Sequence, residues 1–246
     1  MQPASQPVPR ETADIETASD AYAARFAGSA GAWMLDVQVA AVRRLLGPDR
    51  GLNLLEVGGG HGQLARPLVE DGYPYTVLGS DPVCAKRIAD LVAASRCRFA
   101  TGDVTALPFP DRAFDAAICI RLLTHCARWH ELAAELTRVS RRFVIVEYPL
   151  HEGLHRLAPL FFGMKKKVEG NTRTWTAFRH REVTAAFEDL GFREEAVIRQ
   201  FFWPLVLHRV LKRRGLSEKL ETMARRAGWT ARCGSPAISK MIRMGA

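Results

Sequence analysis

Leu54-Leu55-Glu56-Val57-Gly58-Gly59-Gly60-His61-Gly62-Gln63-Leu64 is the stretch that decides how this chain folds. An apolar run ends in an acid, and glycines then alternate at positions 58, 60 and 62. A buried strand handing over to a helix with almost no side chain between them reads this way. The bare turn lets a ligand lie against backbone and the start of a helix. A dinucleotide fingerprint would need Gly-x-Gly-x-x-Gly. Counted from Gly58 and Gly60 the third position is Gln63; counted from Gly60 and Gly62 it is Ala65, a start too far beyond the strand. Glu56 would also repel a pyrophosphate. An acid there suits a ligand that carries positive charge.

Outward from the turn, apolar strands and helices alternate. The patterning predicts strands at 52–57, 75–79, 98–100, 114–120 and 143–147, and helices at 63–71, 83–94 and 129–139. Such alternation means a parallel sheet covered on both faces. Before it, residues 21–46 read as helix broken near Gly28–Gly31. After it, 181–190 reads as helix, 193–200 as strand and 236–243 as a last strand, with a basic, amphipathic stretch from Phe201 to Arg226 between those two strands.

The tips of the second and third strands carry acids too. Asp81 closes Leu78-Gly79-Ser80-Asp81, 23 residues beyond Gly58, and Asp103 closes Thr101-Gly102-Asp103. A carboxylate about 20 residues past the turn, on the adjacent strand, can accept both hydroxyls of a ribose. Asp103 is placed to accept from an exocyclic amine such as that of adenine.

Composition narrows the class. Nearly half of the 246 residues are hydrophobic, as in a globular protein with a sizeable core. There is no uninterrupted apolar run of membrane-spanning length. Residues 1–20 are polar and rich in Pro, Ala and Thr, with no apolar segment of a secretory signal, and are expected to be a disordered leader. The five cysteines, Cys84, Cys97, Cys119, Cys126 and Cys233, form no Cys-x-x-Cys pair. That spacing favours free thiols in a reducing cytoplasm over a disulfide framework or a metal site. Charge is uneven: residues 1–150 hold 16 Lys/Arg against 17 Asp/Glu, and residues 151–246 hold 19 against 9. The excess points to an anionic partner for the last part, such as a phosphorylated substrate, membrane headgroups or nucleic acid, with a plain solvated surface as the alternative.

Taken in order, the glycine turn, Gly79-Ser80-Asp81, Gly102-Asp103-Val104 and Leu107-Pro108-Phe109-Pro110-Asp111-Arg112-Ala113-Phe114-Asp115 resemble the successive motifs of class I S-adenosylmethionine-dependent methyltransferases. The match runs from about Leu52 to Pro149. It is similar in flavour to the small-molecule group that includes the ubiquinone and menaquinone biosynthesis methyltransferases. The resemblance implies an α/β, Rossmann-like, doubly wound, mostly parallel seven-stranded sheet with an antiparallel final strand. It also implies S-adenosylmethionine as cofactor. The implied layout is a single domain over 21–246: cap helices at 21–50, a cofactor-binding core at 51–150, and substrate or lid elements at 151–180 and 201–230.

The resemblance assigns roles by position. Glu56, Gly58, Gly59 and Gly60 would lie along the methionine portion, Asp81 with Pro82 at the ribose, Asp103 with Val104 at the adenine, and Arg121 beside the sulfonium. In the N-terminal cap, Arg25 is the candidate for pairing with the methionine carboxylate. His125, just past the fourth strand, and His180 are the candidate general bases; a neutral imidazole suits that task near pH 7. The chain departs from the family where a Lys-Pro-Gly-Gly-like turn usually precedes the fifth strand. It has Arg138-Val139-Ser140-Arg141-Arg142-Phe143, and it carries an insertion of some thirty residues between the last two strands.

The expected activity is methyl transfer to oxygen or carbon of a hydrophobic or anionic small molecule or lipid precursor. The expected location is the cytoplasm, with peripheral contact at the inner face of a membrane. Apolar residues beside Lys212-Arg213-Arg214 support that contact, and a lid helix with its apolar face packed on the sheet is the plainer alternative. Glu147-Tyr148-Pro149 lacks the Asn/Asp-Pro-Pro-aromatic motif of nucleobase amino methylation, which argues against a DNA or RNA adenine methylase; nucleic acid is not the expected partner. An RNA methyltransferase, a nicotinamide oxidoreductase and a catalytically inactive binding protein on the same fold are the rivals.

Overall fold

The computed structural model describes residues 10–151 and 175–245. Most of the expected substrate element at 151–180 lies outside these residues, as do the first nine of the leader.

Seven strands form one sheet: β1 (Leu54–Val57), β2 (Tyr75–Gly79), β3 (Arg98–Thr101), β4 (Phe114–Cys119), β5 (Ser140–Tyr148), β6 (Phe192–Phe201) and β7 (Ser235–Arg243). Their spatial order is β3-β2-β1-β4-β5-β7-β6. β1 pairs in parallel with β2 and β4, and β7 runs antiparallel between β5 and β6. The sheet is therefore the doubly wound, mostly parallel one anticipated, with an antiparallel last strand. The order of strands along the sheet reverses between β1 and β4, so the loops after β1, β2, β3 and β4 meet at the carboxyl end of the sheet, where such folds receive ligands.

The helices are α1 (Ala13–Thr17), α2 (Asp20–Ala24), α3 (Gly28–Leu46), α4 (Ala65–Glu70), α5 (Ala89–Ala93), α6 (Trp129–Val139), α7 (His180–Asp189), α8 (Leu205–Leu211), α9 (Arg214–Arg226) and α10 (Trp229–Cys233). Each face of the sheet has its own apolar layer. On one, Leu55, Val57, Val144 and Val146 pack against Leu132, Leu136 and Phe187. On the other, Leu54, Val77, Ile118 and Ile145 meet Val42, Leu46, Leu64 and Leu68. Each wholly buried Leu, Ile or Val contributes roughly 2 kcal/mol, so these layers hold the sheet rigid beneath its loops.

Two expectations need correction. Residues 10–20 are not a disordered leader: they include α1 and run into α2, and the Asp14 side chain is fully buried. The segment expected as a helix over 83–94 opens as a 3-10 turn, Pro82–Ile88, before α5. Asp81 caps it by accepting from Val83 N–H at 2.8 Å, and Pro82 sets the first dihedral.

Cys84, Cys97, Cys119 and Cys126 are buried, and no cysteine is in a disulfide among the described residues. Burial pushes the Cys84 and Cys126 thiols up to about 12 and Cys97 to about 11, which makes them unreactive at neutral pH. No group of side chains suited to a metal ion occurs among the described residues. No described helix is long and apolar enough to cross a membrane.

Candidate functional site

The glycine turn leaves β1 with Gly58 at φ +81°, a backbone conformation that a side chain would strain. Gly60 is required for a different reason. α1 lies directly on it: a Cβ there would collide with the Asp14 carbonyl oxygen and stand 2.7 Å from Thr17 Oγ1. Gly59 is closed from below, where a Cβ would come within 3.1 Å of the Glu56 carboxyl carbon. The turn is thus packed between α1 above and Glu56 beneath.

Glu56 is 2% exposed, and its Oε2 accepts from the Tyr75 hydroxyl at 3.0 Å. Burial raises its carboxyl to about 7, opposed by the Tyr75 hydrogen bond. In this conformation Glu56 supports the turn from below rather than lining an open cleft. His61 is held between the rings of Tyr22 and Phe26, each 5.4 Å away between centroids. Burial, reinforced by the charges of Arg121 and Arg87, lowers its imidazole to about 4, so it is neutral at physiological pH.

Asp81 and Asp103 stand at the tips of neighbouring strands, both partly exposed. Asp103 Oδ1 accepts from Thr105 N–H and Oγ1 at 2.8 and 2.7 Å, and Arg128 lies 3.8 Å from Oδ2. Burial alone would raise this carboxyl; the Thr105 hydrogen bonds with the charges of Arg128 and Arg10 outweigh it and hold it below its usual range. Pro82 is exposed beside Asp81. Val104 is wholly buried with Leu55, Leu78 and Leu107, so its backbone, not its side chain, is what it can offer a ligand.

Residues 10–18 roof this edge. Asp14 accepts from Ser80 N–H at 2.7 Å and from the Ser80 hydroxyl, Arg10 donates to the Ser80 carbonyl at 3.2 Å, and Glu11 accepts from Arg128 N–H at 3.0 Å. No sequence pattern announced this roof. The one signal available was the acid spacing of Glu11, Asp14 and Glu16 in an otherwise polar segment.

Arg121, just past β4, has φ +61°, rare for a residue with a side chain and frequent at functional turns. Its N–H donates to Glu147 Oε2 at 3.0 Å. Glu147 is 4% exposed and also accepts from Gln38 at 2.6 Å and Gln200 at 2.7 Å, while Gln63 donates to Gln38 at 3.0 Å. One buried network therefore ties the glycine turn, α3, β5, β6 and the Arg121 turn together. The Arg121 guanidinium lies 4.2 Å from the Phe26 ring centroid, and its buried Nη1 has no hydrogen-bond partner among the described residues.

The remaining candidates are more dispersed. Arg25 pairs with Glu16 at 3.4 Å and packs over Tyr22, the ring that touches His61. His125 is partly exposed at the end of the 3-10 turn Leu123–His125. His180 is committed to structure. Its Nδ1 meets the Tyr148 hydroxyl at 2.9 Å and its Nε2 meets Glu194 at 3.1 Å, and the same Tyr148 hydroxyl meets Ser239 at 2.8 Å.

The site residues fit a nucleoside bearing a positively charged, amino-acid-like tail: acids at two neighbouring strand tips, a side-chain-free turn and a cation with an open donor. Comparison with known proteins agrees. Residues 55–143 match a family described as methyltransferase domain. An uncharacterized methyltransferase of Mycobacterium avium is 34% identical over 91 residues, 37% of this chain and 36% of its own. The chain thus covers little more than a third of that relative's length. A demethylmenaquinone methyltransferase of Tropheryma whipplei is 27% identical over 196 residues, covering 69% of this chain and 78% of that one. The fold matches that of magnesium protoporphyrin IX methyltransferase from Synechocystis PCC 6803, solved with bound SAH, at TM-score 0.60 and 16% identity over 91% of this chain and 93% of that one. Motif order, strand order and family match agree: residues 55–143 carry a methyltransferase domain, on a fold shared with solved S-adenosylmethionine-dependent methyltransferases.

Proposed function

We infer that this protein transfers a methyl group to an oxygen or carbon of a hydrophobic or anionic small molecule or lipid precursor. The observation that carries the reading is the convergence of the glycine turn, Asp81 and Asp103 on three neighbouring strand tips, with Arg121 across from them on the fourth. The demethylmenaquinone methyltransferase, whose name points to a lipid-soluble acceptor, supports the substrate class.

When bound, S-adenosylmethionine supplies a methyl group on a sulfonium, open to in-line attack. The chain's part is to position and to exclude water. Asp81 accepts the ribose hydroxyls, and Asp103 accepts the adenine amine beside the backbone of Val104. The methionine portion would run beside the turn Gly58–Gly60, beneath the roof that α1 makes over Gly60. Arg121 offers its open guanidinium donor to the methionine carboxylate, a task for which Arg25, paired with Glu16, is less free. α1, lying on Gly60, closes the cleft from water. For an oxygen acceptor, His125 takes the hydroxyl proton as the new bond to carbon forms. His180, with both ring nitrogens engaged, orients Tyr148 instead.

The test is transfer of labelled methyl from S-adenosylmethionine into a cell extract fractionated into lipids, soluble metabolites and RNA. Label in the lipid or metabolite fraction is expected, with loss on Asp81→Ala. Label confined to RNA would overturn the reading.

A further inference from the structure

We propose that the insertion between β6 and β7 docks on an anionic lipid surface. α9 is amphipathic the wrong way round for a packed lid. Its inward residues are Ser217, Glu221 and Ala224, each at most 1% exposed. Glu221 is fully used inside: it accepts from Phe202 N–H and Trp203 N–H at 3.0 Å each, and its Oε1 is 3.1 Å from Nε2 of the buried His208. Glu221 therefore anchors the helix by polar contacts, while Leu216 and Met223 are left outside and Leu220 is half-buried.

Those residues form a stripe. Leu216, Lys219, Met223 and Arg226 fall at i, i+3, i+7 and i+10, one side of a helix, and all four are exposed. Leu216 is 42% and Met223 69% exposed; Val210 on α8 and Trp229 at the start of α10 add 53% and 50%. Of the nine large hydrophobics exposed among the described residues, these four lie within twenty positions of one another, so the exposure is local rather than scattered.

Charge decides the partner. Residues 205–232 hold eight Lys/Arg against Glu218 and Glu221. Glu221 is buried with His208, and Glu218 pairs with Arg214 at 2.7 Å. Lys212, Arg213, Lys219 and Arg226 are exposed and make no ion pair among the described residues. Apolar side chains able to enter the acyl boundary, flanked by unpaired cations that meet headgroup phosphates, are the two halves of interfacial binding. A protein partner would need a larger continuous apolar patch without cations at its centre. Nucleic acid would use the cations and leave Met223 and Leu216 in water.

Docking does not depend on methyl transfer, and the test separates them. The full chain is sedimented with phosphatidylcholine vesicles, with vesicles containing about 30% phosphatidylglycerol, and, by gel shift, with mixed-sequence RNA. Binding only to the anionic vesicles is expected, falling with salt. The K219E/R226E and M223D variants should each weaken it roughly tenfold or more. Their melting temperatures and calorimetric S-adenosylhomocysteine binding should match the parent. Equal binding to neutral vesicles, binding to neither, indifference to both variants, or tighter binding to RNA than to anionic vesicles would each overturn the proposal.

Discussion

The sheet core, residues 52–149, and the insertion, residues 201–234, solve opposite problems. The core buries apolar side chains on both faces and spends its polar residues at the strand tips, where Asp81 and Asp103 stand. The insertion buries polar residues, with His208 and Glu221 at 0% and 1% exposed, and leaves Met223 and Trp229 outside. The core is nearly neutral; the insertion is strongly basic. Burying a polar group is costly unless it is hydrogen-bonded, and on the insertion's inner side Glu221 meets that condition through His208 and the Phe202 and Trp203 N–H groups. Its outer side answers to something other than the fold. The proposed cofactor site and the proposed lipid-docking face thus fall on separate parts of the chain.

Glu147 holds Gln200, whose carbonyl accepts from Arg225 of the insertion at 3.3 Å, so the Glu147 network links the two parts through β6, and cutting it should have the largest effect. Glu147→Ala strands the donors of Gln38, Gln200 and Arg121 N–H. A loss of about 3–5 kcal/mol is expected in urea unfolding. If the loss is under about 1 kcal/mol, the network does not couple the regions.

The turn sharpens the comparison through pH. Glu56, raised to about 7 from 4.5, keeps in the fold a proton that the unfolded chain has lost. Its contribution is complete below pH 4.5 and is lost as pH rises through 7. His61, lowered to about 4 from 6.5, does the reverse: its contribution is present above pH 6.5 and is lost as pH falls through 4. The two slopes oppose each other between pH 4.5 and 6.5. Glu56→Gln should unmask the His61 slope, with stability rising by about 2 kcal/mol across that window while the parent stays nearly flat. Equilibrium unfolding at several pH values reads it. An equal slope in both proteins would remove the opposing-pair explanation.

Asp81→Ala comes next. Losing two charge-assisted hydrogen bonds should weaken cofactor binding roughly hundredfold. Asp103→Asn keeps one acceptor and should cost roughly tenfold. Neither should alter vesicle binding, and calorimetry and sedimentation on the same samples check this. An effect of Asp103→Asn larger than that of Asp81→Ala would reverse the assignment of ribose and adenine ends.

What was legible in the sequence follows from the range of the signal. β2 and α6 begin and end where periodicity and turn residues place them, because each is decided by its own side chains. The acids at the strand tips were legible for the same reason. Asp14, Gln38 and Gln200 were not: each acts on a residue more than fifty positions away, Ser80 or Glu147, and nothing local marks a side chain that will meet such a partner. α1 is too short to form on its own and exists because Asp14 and Gly60 hold it. The insertion was read as amphipathic, but which face turns inward depends on Glu221 meeting His208 and the Phe202–Trp203 backbone.

The central claim is that the bare turn and the two strand-tip acids form a nucleoside site on the core. Calorimetric titration of the folded full-length protein with S-adenosylhomocysteine, beside Asp81→Ala, tests it most directly. One saturable site in the parent and roughly hundredfold weaker binding in the variant is the expected result. A folded parent that gives no saturable heat, or a variant that binds as tightly, would contradict it.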